Sequence, residues 1–437
     1  MKPTLIHALA LTLLVAGPAA ALPAQVINQT TQVTGIQEQG PATGPLSISA
    51  PIDGSTVGSA SIDVRGNLLR PFNQPGTQVS VNGQSATVES FGSGRARFVL
   101  ANLELTPGLN GLVIEATTPG GDSRRLDAAV TFSPLTGNNV IVRGRFAYVA
   151  RGVAGLGIMD LRTRIGTTMA PPAGSNRVDD VATADGFLFL LDAANGGRLS
   201  VMDLEDPVEP AIIGTPVNVP VGPFAGVSAA GGRVVVSGGT SLMTVRNYGA
   251  DGQLSTAVSS IDLGVGQPDV TVSADGASAF VSTDFAGLVN GSPFGLTTVT
   301  LADAPAPLSI FSRTGLPGAG FTAGFQAPAN FPIASALFQG DVMVAHGGGL
   351  TRVNAQGVVQ GTRPLGFAGV NVGVFGSTAF VVGSGRNLAT LDLSAPGAPT
   401  LISSSQLNGT GALTGVAANA RFVAIASNGG GLRVMSR

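Results

Sequence analysis

The stretch that decides the fold is GRFAYVARGVAGLGIMDL at residues 144–161, because its two-part pattern returns six more times in the rest of the chain. A glycine-led apolar segment is followed by a second segment that opens on Gly-Leu or a close variant. Two clear copies are DGFLFLLDAANGGRLSVMDL at 185–204 and GSTAFVVGSGRNLATLDL at 376–393. Another short apolar segment precedes each copy. The alternation within these segments predicts β-strands.

The preceding segments are spaced like the blades of a β-propeller. Their centres recur every 39 to 46 residues, apart from one step of 63 residues. These centres are Val140, Val181, Val227, Val270, Ile333, Val372 and Val416. A blade is a twisted sheet with two apolar faces, and it buries both only against a neighbour on each side. We therefore predict an all-β chain with a seven-bladed propeller over 134–437, and extra loop residues around 303–331.

The region before the repeats predicts a second all-β domain over 45–133. Seven short alternating segments occur there, separated by turn signals such as Asn82-Gly83, whose residues tolerate the positive φ of a type I′ hairpin. Seven strands in about ninety residues are typical of a β-sandwich. The SAPIDGSTV opening and the TQVSVNGQSATV hairpin resemble bacterial immunoglobulin-like modules. That resemblance implies a spacer or binding domain.

Three repeat endings resemble the LVIVD-repeat family, in which a phrase of the form gLxIvDvsdPxxPxlvg ends each blade. They are GLGIMDL at 155–161, RLSVMDLEDPVEPAIIG at 198–214 and NLATLDLSAPGAPTLIS at 387–403. Other repeats lack the Asp-Pro turn, as at Val353-Asn354. The resemblance implies a propeller fold. It implies no particular activity, because propellers serve as enzymes, scaffolds and receptors alike.

Residues 1–24 have the order of parts that is typical of an export signal. Lys2 begins the segment, an apolar stretch runs from Leu5 to Val15, and Ala19-Ala20-Ala21 offers a cleavage site. We therefore expect a secreted or periplasmic protein, with residues 25–44 as a polar linker or arm. Past this signal no run of 18 apolar residues occurs, so we predict no transmembrane helix.

The last repeat stops after its third strand, at Arg437. An open outer edge on one blade would leave unpaired backbone groups. We expect an N-terminal segment to supply the outermost strand of that blade. The candidates are residues 25–35 and the stretch just before Val140.

The composition excludes several classes of function. Charged residues make up 11% of the chain and the formal net charge is −2, so no basic surface for nucleic acid is indicated. The absence of cysteine excludes thiol catalysis and a zinc site built on sulfur. The lack of Trp, with two Tyr, argues against a dedicated lectin. No phosphate-binding loop occurs, and we expect neither a cofactor nor a metal.

Few residues qualify for catalysis. His346 is the single histidine past the signal and no nucleophile motif accompanies it, so we expect a surface histidine on a blade turn. Asp179-Asp180 offers carboxylates to calcium, but without an alternating D-x-D-x-D-G loop we interpret the pair as the start of a strand. Asp160, Asp203 and Asp392 end third strands. We expect their carboxylates to accept N–H bonds from the turns that follow.

Four phenylalanines of the Gly- and Pro-rich segment 303–331 are the candidate binding residues, namely Phe311, Phe321, Phe325 and Phe331. Exposed together they would form a protein-binding patch, and the alternative is that they pack back over the blade edge. We favour a monomeric, non-catalytic binding or scaffold protein with a protein or cell-surface partner. The alternative is a secreted hydrolase or lyase with carboxylates at the mouth of the propeller channel. Acids with raised pKa values there would favour the alternative.

Overall fold

The computed structural model of the protein describes residues 44–51, 53, 56–91, 94–106, 108–132, 135–194, 196–222, 225–238, 242–263, 269–289, 292–316, 334–407 and 411–437. The predicted export signal and residues 25–43 lie outside these ranges. Strands dominate, in one eight-stranded arrangement and seven smaller sheets. Across the described ranges, no helix is long and apolar enough to cross a membrane.

Eight strands around one apolar core make up the N-terminal domain. They are β1 (Leu46–Ala50), β2 (Thr56–Val57), β3 (Ser61–Leu68), β4 (Gln78–Val81), β5 (Gln84–Phe91), β6 (Arg95–Glu104), β7 (Gly108–Thr117) and β8 (Ser123–Phe132). Hydrogen bonding orders them β1-β3-β6-β5-β4-β7-β8-β2, and β2 runs parallel to β8. Val64, Phe98 and Ile114 are fully buried in the core.

All seven segments predicted in this domain are strands, and the short β2 is the addition. The turn between β4 and β5 follows the sequence signal. Asn82 has φ of 50° and Gly83 has φ of 77°, as a type I′ hairpin requires.

Each of the seven remaining sheets holds consecutive strands, which is the architecture of a seven-bladed β-propeller. Blades 1 to 3 are β9 (Asn139–Arg143), β10 (Phe146–Ala150), β11 (Leu156–Asp160), β12 (Gly166–Met169); β13 (Asp180–Ala184), β14 (Phe187–Asp192), β15 (Arg198–Asp203), β16 (Ala211–Asn218); and β17 (Gly226–Ala230), β18 (Arg233–Ser237), β19 (Leu242–Asn247), β20 (Ser259–Asp262). Blades 4 and 5 are β21 (Asp269–Val272), β22 (Ser278–Val289), β23 (Ser292–Thr300), β24 (Ser309–Gly315); and β25 (Ala334–Phe338), β26 (Asp341–His346), β27 (Gly349–Val353), β28 (Val359–Arg363). Blades 6 and 7 are β29 (Gly369–Phe375), β30 (Thr378–Gly383), β31 (Asn387–Asp392), β32 (Thr400–Gln406); and β33 (Leu413–Ala418), β34 (Phe422–Ser427), β35 (Arg433–Ser436).

The core of the propeller lies between blades. Seven apolar clusters occur, one at each junction between neighbouring blades, including the junction of blade 7 with blade 1. Alternate residues of a second strand belong to different clusters: Leu188 and Leu190 face blade 1, whereas Phe189 faces blade 3. Because both faces of these strands are buried, their sequences are continuous apolar runs.

The turns after the third strands confirm the role predicted for their aspartates. Asp160 accepts the N–H of Arg162 at 2.9 Å, and Asp203 and Asp392 accept the N–H two residues further on at the same distance. These contacts are Asx turns, in which a side-chain carboxylate replaces a backbone acceptor. The repeated aspartates are therefore structural.

The strands at the end of blade 4 and the start of blade 5 differ from the prediction. Six of the seven predicted centres lie in the first strand of a blade, whereas Ile333 lies outside the described residues and β25 begins at Ala334. The expected loop around 303–331 is wrong at its start, because β24 occupies Ser309–Gly315 as the fourth strand of blade 4. The long hairpin of β22 and β23 also lengthens this repeat.

Blade 7 has three strands among the described residues, as predicted. The second candidate, the stretch just before Val140, is wrong over its described part, because residues 135–138 form no strand and Asn139 already pairs with β10 in the first strand of blade 1. The first candidate, residues 25–35, lies outside the described residues. The contact observed beside β35 comes from the N-terminal domain, where Ser59 forms a parallel bridge with Leu432.

Candidate functional site

Polar side chains join neighbouring blades where the first strands begin. First strands contact one another around the ring, which makes them the innermost strands. The Asn139 amide donates to Asp180 Oδ1, so blade 1 is bonded to blade 2. Asp180 Oδ2 accepts the N–H of Val227 at 2.8 Å, which extends the connection to blade 3.

The same kind of contact continues through blades 4 and 5. Ser228 Oγ accepts the N–H of Val272 at 3.1 Å. Asp269 Oδ2 accepts the N–H of Ser335 at 2.7 Å and its hydroxyl at 3.0 Å. Thr271 also donates to the carbonyl of Ser335 at 3.0 Å. Blade 4 is therefore bonded to both of its neighbours through inner-strand side chains.

The contacts also include blade 7 and the closing junction. Asn371 Oδ1 accepts the N–H of Val416 at 3.2 Å, between blades 6 and 7. Thr414 donates to the carbonyl of Gly137 at 2.7 Å, between blade 7 and blade 1. We call the side chains that make these contacts the inner polar belt: Asn139, Asp180, Ser228, Asp269, Thr271, Ser335, Asn371 and Thr414.

Two carboxyl groups of the belt have raised pKa values. Burial raises the pKa of Asp180 to about 6, against the hydrogen bonds from Asn139 and from the N–H of Val227, which favour the charged form. Burial raises the pKa of Asp269 to about 7, and the negative charge of Asp180 adds to the rise. The raised values meet the condition set above for carboxylate chemistry. The geometry, however, assigns both groups to contacts between blades.

The two aspartates considered as calcium ligands, Asp179 and Asp180, bind different partners in the structure. Asp180 is the first residue of β13, as expected from the strand interpretation. Asp179 is bound by Arg177 at 2.6 Å and accepts the N–H of Ala193 at 2.9 Å. Over the described ranges, no group of three or more His, Asp or Glu residues is arranged to hold a metal ion.

His346 is not the surface residue that we predicted. It is 1% exposed and ends β26. Its Nδ1 accepts the N–H of Gly348 at 3.0 Å, so in the neutral ring Nε2 carries the proton and donates to Thr351 Oγ1 at 2.7 Å. Thr351 contacts Thr362 Oγ1 at 2.8 Å. The sequence position at a turn was correct, but the histidine is buried and belongs to a hydrogen-bond network within blade 5.

Of the four candidate phenylalanines, Phe311 is described and Phe321, Phe325 and Phe331 lie outside the described residues. Phe311 lies in β24 and is 58% exposed, beside Ile310 at 39%. Thr298 pairs with Ser312 and Val299 pairs with Ile310, so Phe311 is the extra residue of a β-bulge. A bulge re-aims a side chain, and here it turns an aromatic ring outward from the rim of blade 4.

The bulge recurs in the fourth strands of the next two blades. Gln360 in β28 and Ile402 in β32 are the unopposed residues, and Ile402 is 60% exposed. Blades 4, 5 and 6 therefore share the bulge in their fourth strands. Among these three blades, the bulged residue is aromatic in blade 4 alone.

Asp269 is a belt residue outside the sequence predictions, although the sequence contains a signal for it. Asp180-Val181 and Asp269-Val270 both place an aspartate directly before a predicted strand centre. Equivalent positions in two repeats indicate a shared structural role. The pairing of Arg164 with Asp63 had no such signal, because 101 residues separate the two.

Comparison with known proteins agrees with the repeat structure. The LVIVD repeat pattern matches residues 136–161 and 369–406. These ranges include two of the three endings quoted above, whereas the ending at 198–214 lies outside them. No curated protein matches the sequence.

Solved structures resemble the chain at low sequence identity. A chain of a mitotic checkpoint complex structure is 12% identical with a TM-score of 0.50, covering 69% of this chain and 87% of that one. The designed protein Ika8 is 9% identical with a TM-score of 0.46, covering 74% and 93%. Raptor of Chaetomium thermophilum is 13% identical with a TM-score of 0.47, covering 70% of this chain and 28% of its own. At such identities the likeness concerns the fold alone. The chain carries LVIVD repeats within a seven-bladed β-propeller.

Proposed function

We propose that this chain is an exported, non-catalytic binding or scaffold protein whose propeller contacts a protein or cell-surface partner at the rim of blade 4. A propeller with LVIVD repeats fits a binding or scaffold role in general. The order of parts in residues 1–24 supports export to the periplasm or the medium.

We also propose that the N-terminal domain is immunoglobulin-like. Its strands β1-β3-β6-β5 follow the order A-B-E-D of such a sandwich, and β4-β7-β8 follow the order C-F-G. The parallel pairing of β2 with β8 is an addition to that scheme.

The observation that carries the binding proposal is the exposure of Phe311 on its bulge. An aromatic ring that is 58% exposed beside a partly exposed isoleucine loses contact with water only when a partner covers it. Aromatic side chains of this kind dominate the affinity of protein interfaces. Segment 317–333, which follows β24, holds the other three candidate phenylalanines.

The test is capture of a partner from the envelope and culture medium of the producing organism. We expect Phe311→Ser to reduce capture about tenfold or more, because an aromatic hot spot contributes about 2 kcal/mol. The matched control is Ile402→Ser, the equivalent bulge residue of blade 6 with similar exposure. Equal capture by both variants and the unaltered protein would contradict a contact at blade 4.

A second candidate function rests on the raised pKa values of Asp180 and Asp269. A carboxyl that holds its proton near neutral pH can act as a general acid, as a hydrolase or lyase at the channel mouth would need. A screen of glycoside, ester and polysaccharide substrates tests this function. Turnover that disappears in Asp269→Asn, with unchanged folding, would favour the enzyme over the binding protein.

A further inference from the structure

One extended segment of the N-terminal domain crosses the junction between the first and last blades. The N–H of Gly58 donates to the carbonyl of Arg164 in blade 1 at 3.3 Å. Two residues later, the N–H of Ala60 donates to the carbonyl of Leu432, just before β35 of blade 7, at 3.1 Å. The segment therefore bonds to both blades within three residues. We call residues 57–61 the clasp segment.

A buried ion pair fixes the clasp segment to blade 1. Arg164 Nη1 donates to the carbonyl of Ser61 at 2.7 Å, and Nη2 is 3.1 Å from Asp63 Oδ1. The two charged side chains are 6% and 10% exposed. Burial lowers the pKa of Arg164, and Asp63 opposes that change. A guanidinium removed from water needs such partners, and both of these come from the N-terminal domain.

Apolar packing and a second ion pair complete the contact. Gly58 lies so close to Met159 and Leu135 that an added Cβ would be 2.8 Å from the Met159 methyl group, while Val57 and Ala60 on either side of it are buried in the core of the N-terminal domain. On blade 7, Arg433 pairs with Glu104 of β6 at 2.9 Å. The N–H of Leu135 also donates to the carbonyl of Gly58 at 3.4 Å.

We propose that the N-terminal domain closes the propeller, with the clasp segment holding blade 7 to blade 1 in place of a fourth strand of blade 7. Three observations carry this inference. Blade 7 has three strands among the described residues, the clasp segment bonds to both sides of the junction, and a buried arginine of blade 1 has its charge partner in the domain. The domain then acts as a structural part of the ring and not as a free spacer, which goes beyond the binding role proposed above.

The first experiment cleaves the chain between the N-terminal domain and the propeller and measures whether the two parts stay associated. A protease site is inserted between Phe132 and Leu135 in the full chain, and the folded protein is cleaved. The domain and the propeller are expected to elute together by size-exclusion chromatography after cleavage. Separation of the two fragments at micromolar concentration would overturn the proposal.

The second experiment follows hydrogen exchange in the uncut full chain. Arg164→Met removes the bonds to Ser61 and Asp63, and we expect exchange about tenfold faster in β9, β33 and β34, with blade 4 unchanged. Arg145→Met is the matched control, because Arg145 pairs with Asp160 of its own blade and its side chain is 60% exposed. Exchange at the junction equal to that of the control would overturn the proposal, as would an equal rise in every blade.

A milder variant keeps the proposal testable if Arg164→Met fails to fold. Asp63→Asn keeps the shape and one acceptor while it removes the charge. We expect a smaller rise in exchange confined to the same strands. An effect confined to β3 and β6 would show that the domain does not stabilise the ring.

Discussion

At the scale of single residues, the two buried carboxyl groups of the inner polar belt both accept N–H donors. Both oxygens of Asp180 accept N–H donors, so a proton on either would oppose a donor. Asp269 Oδ2 accepts both bonds from Ser335, and a bond from the N–H of Val270 also favours the charged form of this carboxyl. Asp269 has the higher of the two raised pKa values, about 7 against about 6 for Asp180, so it holds its proton to the higher pH.

The sign of the pH dependence follows from the direction of the shift. An unfolded aspartate titrates near pH 3.9. Between about pH 4 and pH 7 the folded state holds the Asp269 proton and the unfolded state does not. The stability from this group is thus fully present below about pH 4 and is lost as the pH rises through about 7.

Asp269→Asn tests this linkage, because the amide oxygen can accept the Ser335 bonds and carries no charge. We expect the unfolding free energy of the variant, relative to the unaltered protein, to rise with pH by at most about 1.4 kcal/mol per unit between pH 4 and 7. Urea unfolding at each pH measures it. The control is Asp275→Asn on an exposed turn, where Ser273 lowers the pKa and the linkage lies at lower pH. A relative stability that is constant from pH 4 to 7 would contradict the assignment.

At the scale of the element, the repeated glycine before the third strand has a geometric cause. Gly155, Gly197 and Gly349 have φ of 82°, 80° and 137°. An added Cβ would lie 2.1 to 2.4 Å from a backbone carbonyl at or just after the end of the fourth strand. Glycine is needed both for its left-handed φ and for this close approach. In these three blades the glycine therefore allows the fourth strand to pack close, whereas blade 6 has Arg386, with φ of 62°, before its third strand and still forms β32.

Gly349→Ala should destabilise the protein by at least about 2 kcal/mol, because it adds a collision with the Arg363 carbonyl to the backbone strain. Gly340→Ala is the control. Gly340 has φ of 88° but no atom within 4 Å of the added Cβ, so we expect a loss of about 1 kcal/mol from strain alone. Urea unfolding at one pH compares the two variants. An equal loss of unfolding free energy in the two variants would show that the contact with the Arg363 carbonyl does not contribute to the destabilisation.

At the scale of the whole molecule, the junction between blades 7 and 1 is held by apolar packing, polar side chains, backbone hydrogen bonds and the clasp segment. The apolar cluster between blades 7 and 1 packs Ala424 and Val434 with Val149 and Met159. Thr414 of the inner polar belt bonds across the same junction on the inside. The clasp segment crosses it from the N-terminal domain. The N–H of Gly137, just before blade 1, also donates to the carbonyl of Ser427 in β34 of blade 7 at 3.1 Å.

The sequence by itself determined the all-β class, the number of blades and the succession of the first three strands in each repeat. It could do so because these properties depend on local alternation, on turn residues and on a repeat period near forty residues. The strand centres from Val140 to Val416 and the Asx turns at Asp160, Asp203 and Asp392 are all local signals.

Only the tertiary structure decided the burial of His346, the strand that holds Phe311, the belt around Asp180 and Asp269, and the pairing of Arg164 with Asp63. The belt and the Arg164 pair depend on which blade or domain lies beside a residue, because their partners lie about 40 to 100 positions away in the chain. The contacts of His346 and the pairing of β24 are local, but the spacing of the sequence signals does not show that the histidine is buried or that residues 309–315 form a fourth strand. The periodicity of the sequence indicates that a strand needs neighbours on both faces. The periodicity does not indicate which polar group of a neighbouring blade will contact a given side chain, because that pairing arises only when the ring closes.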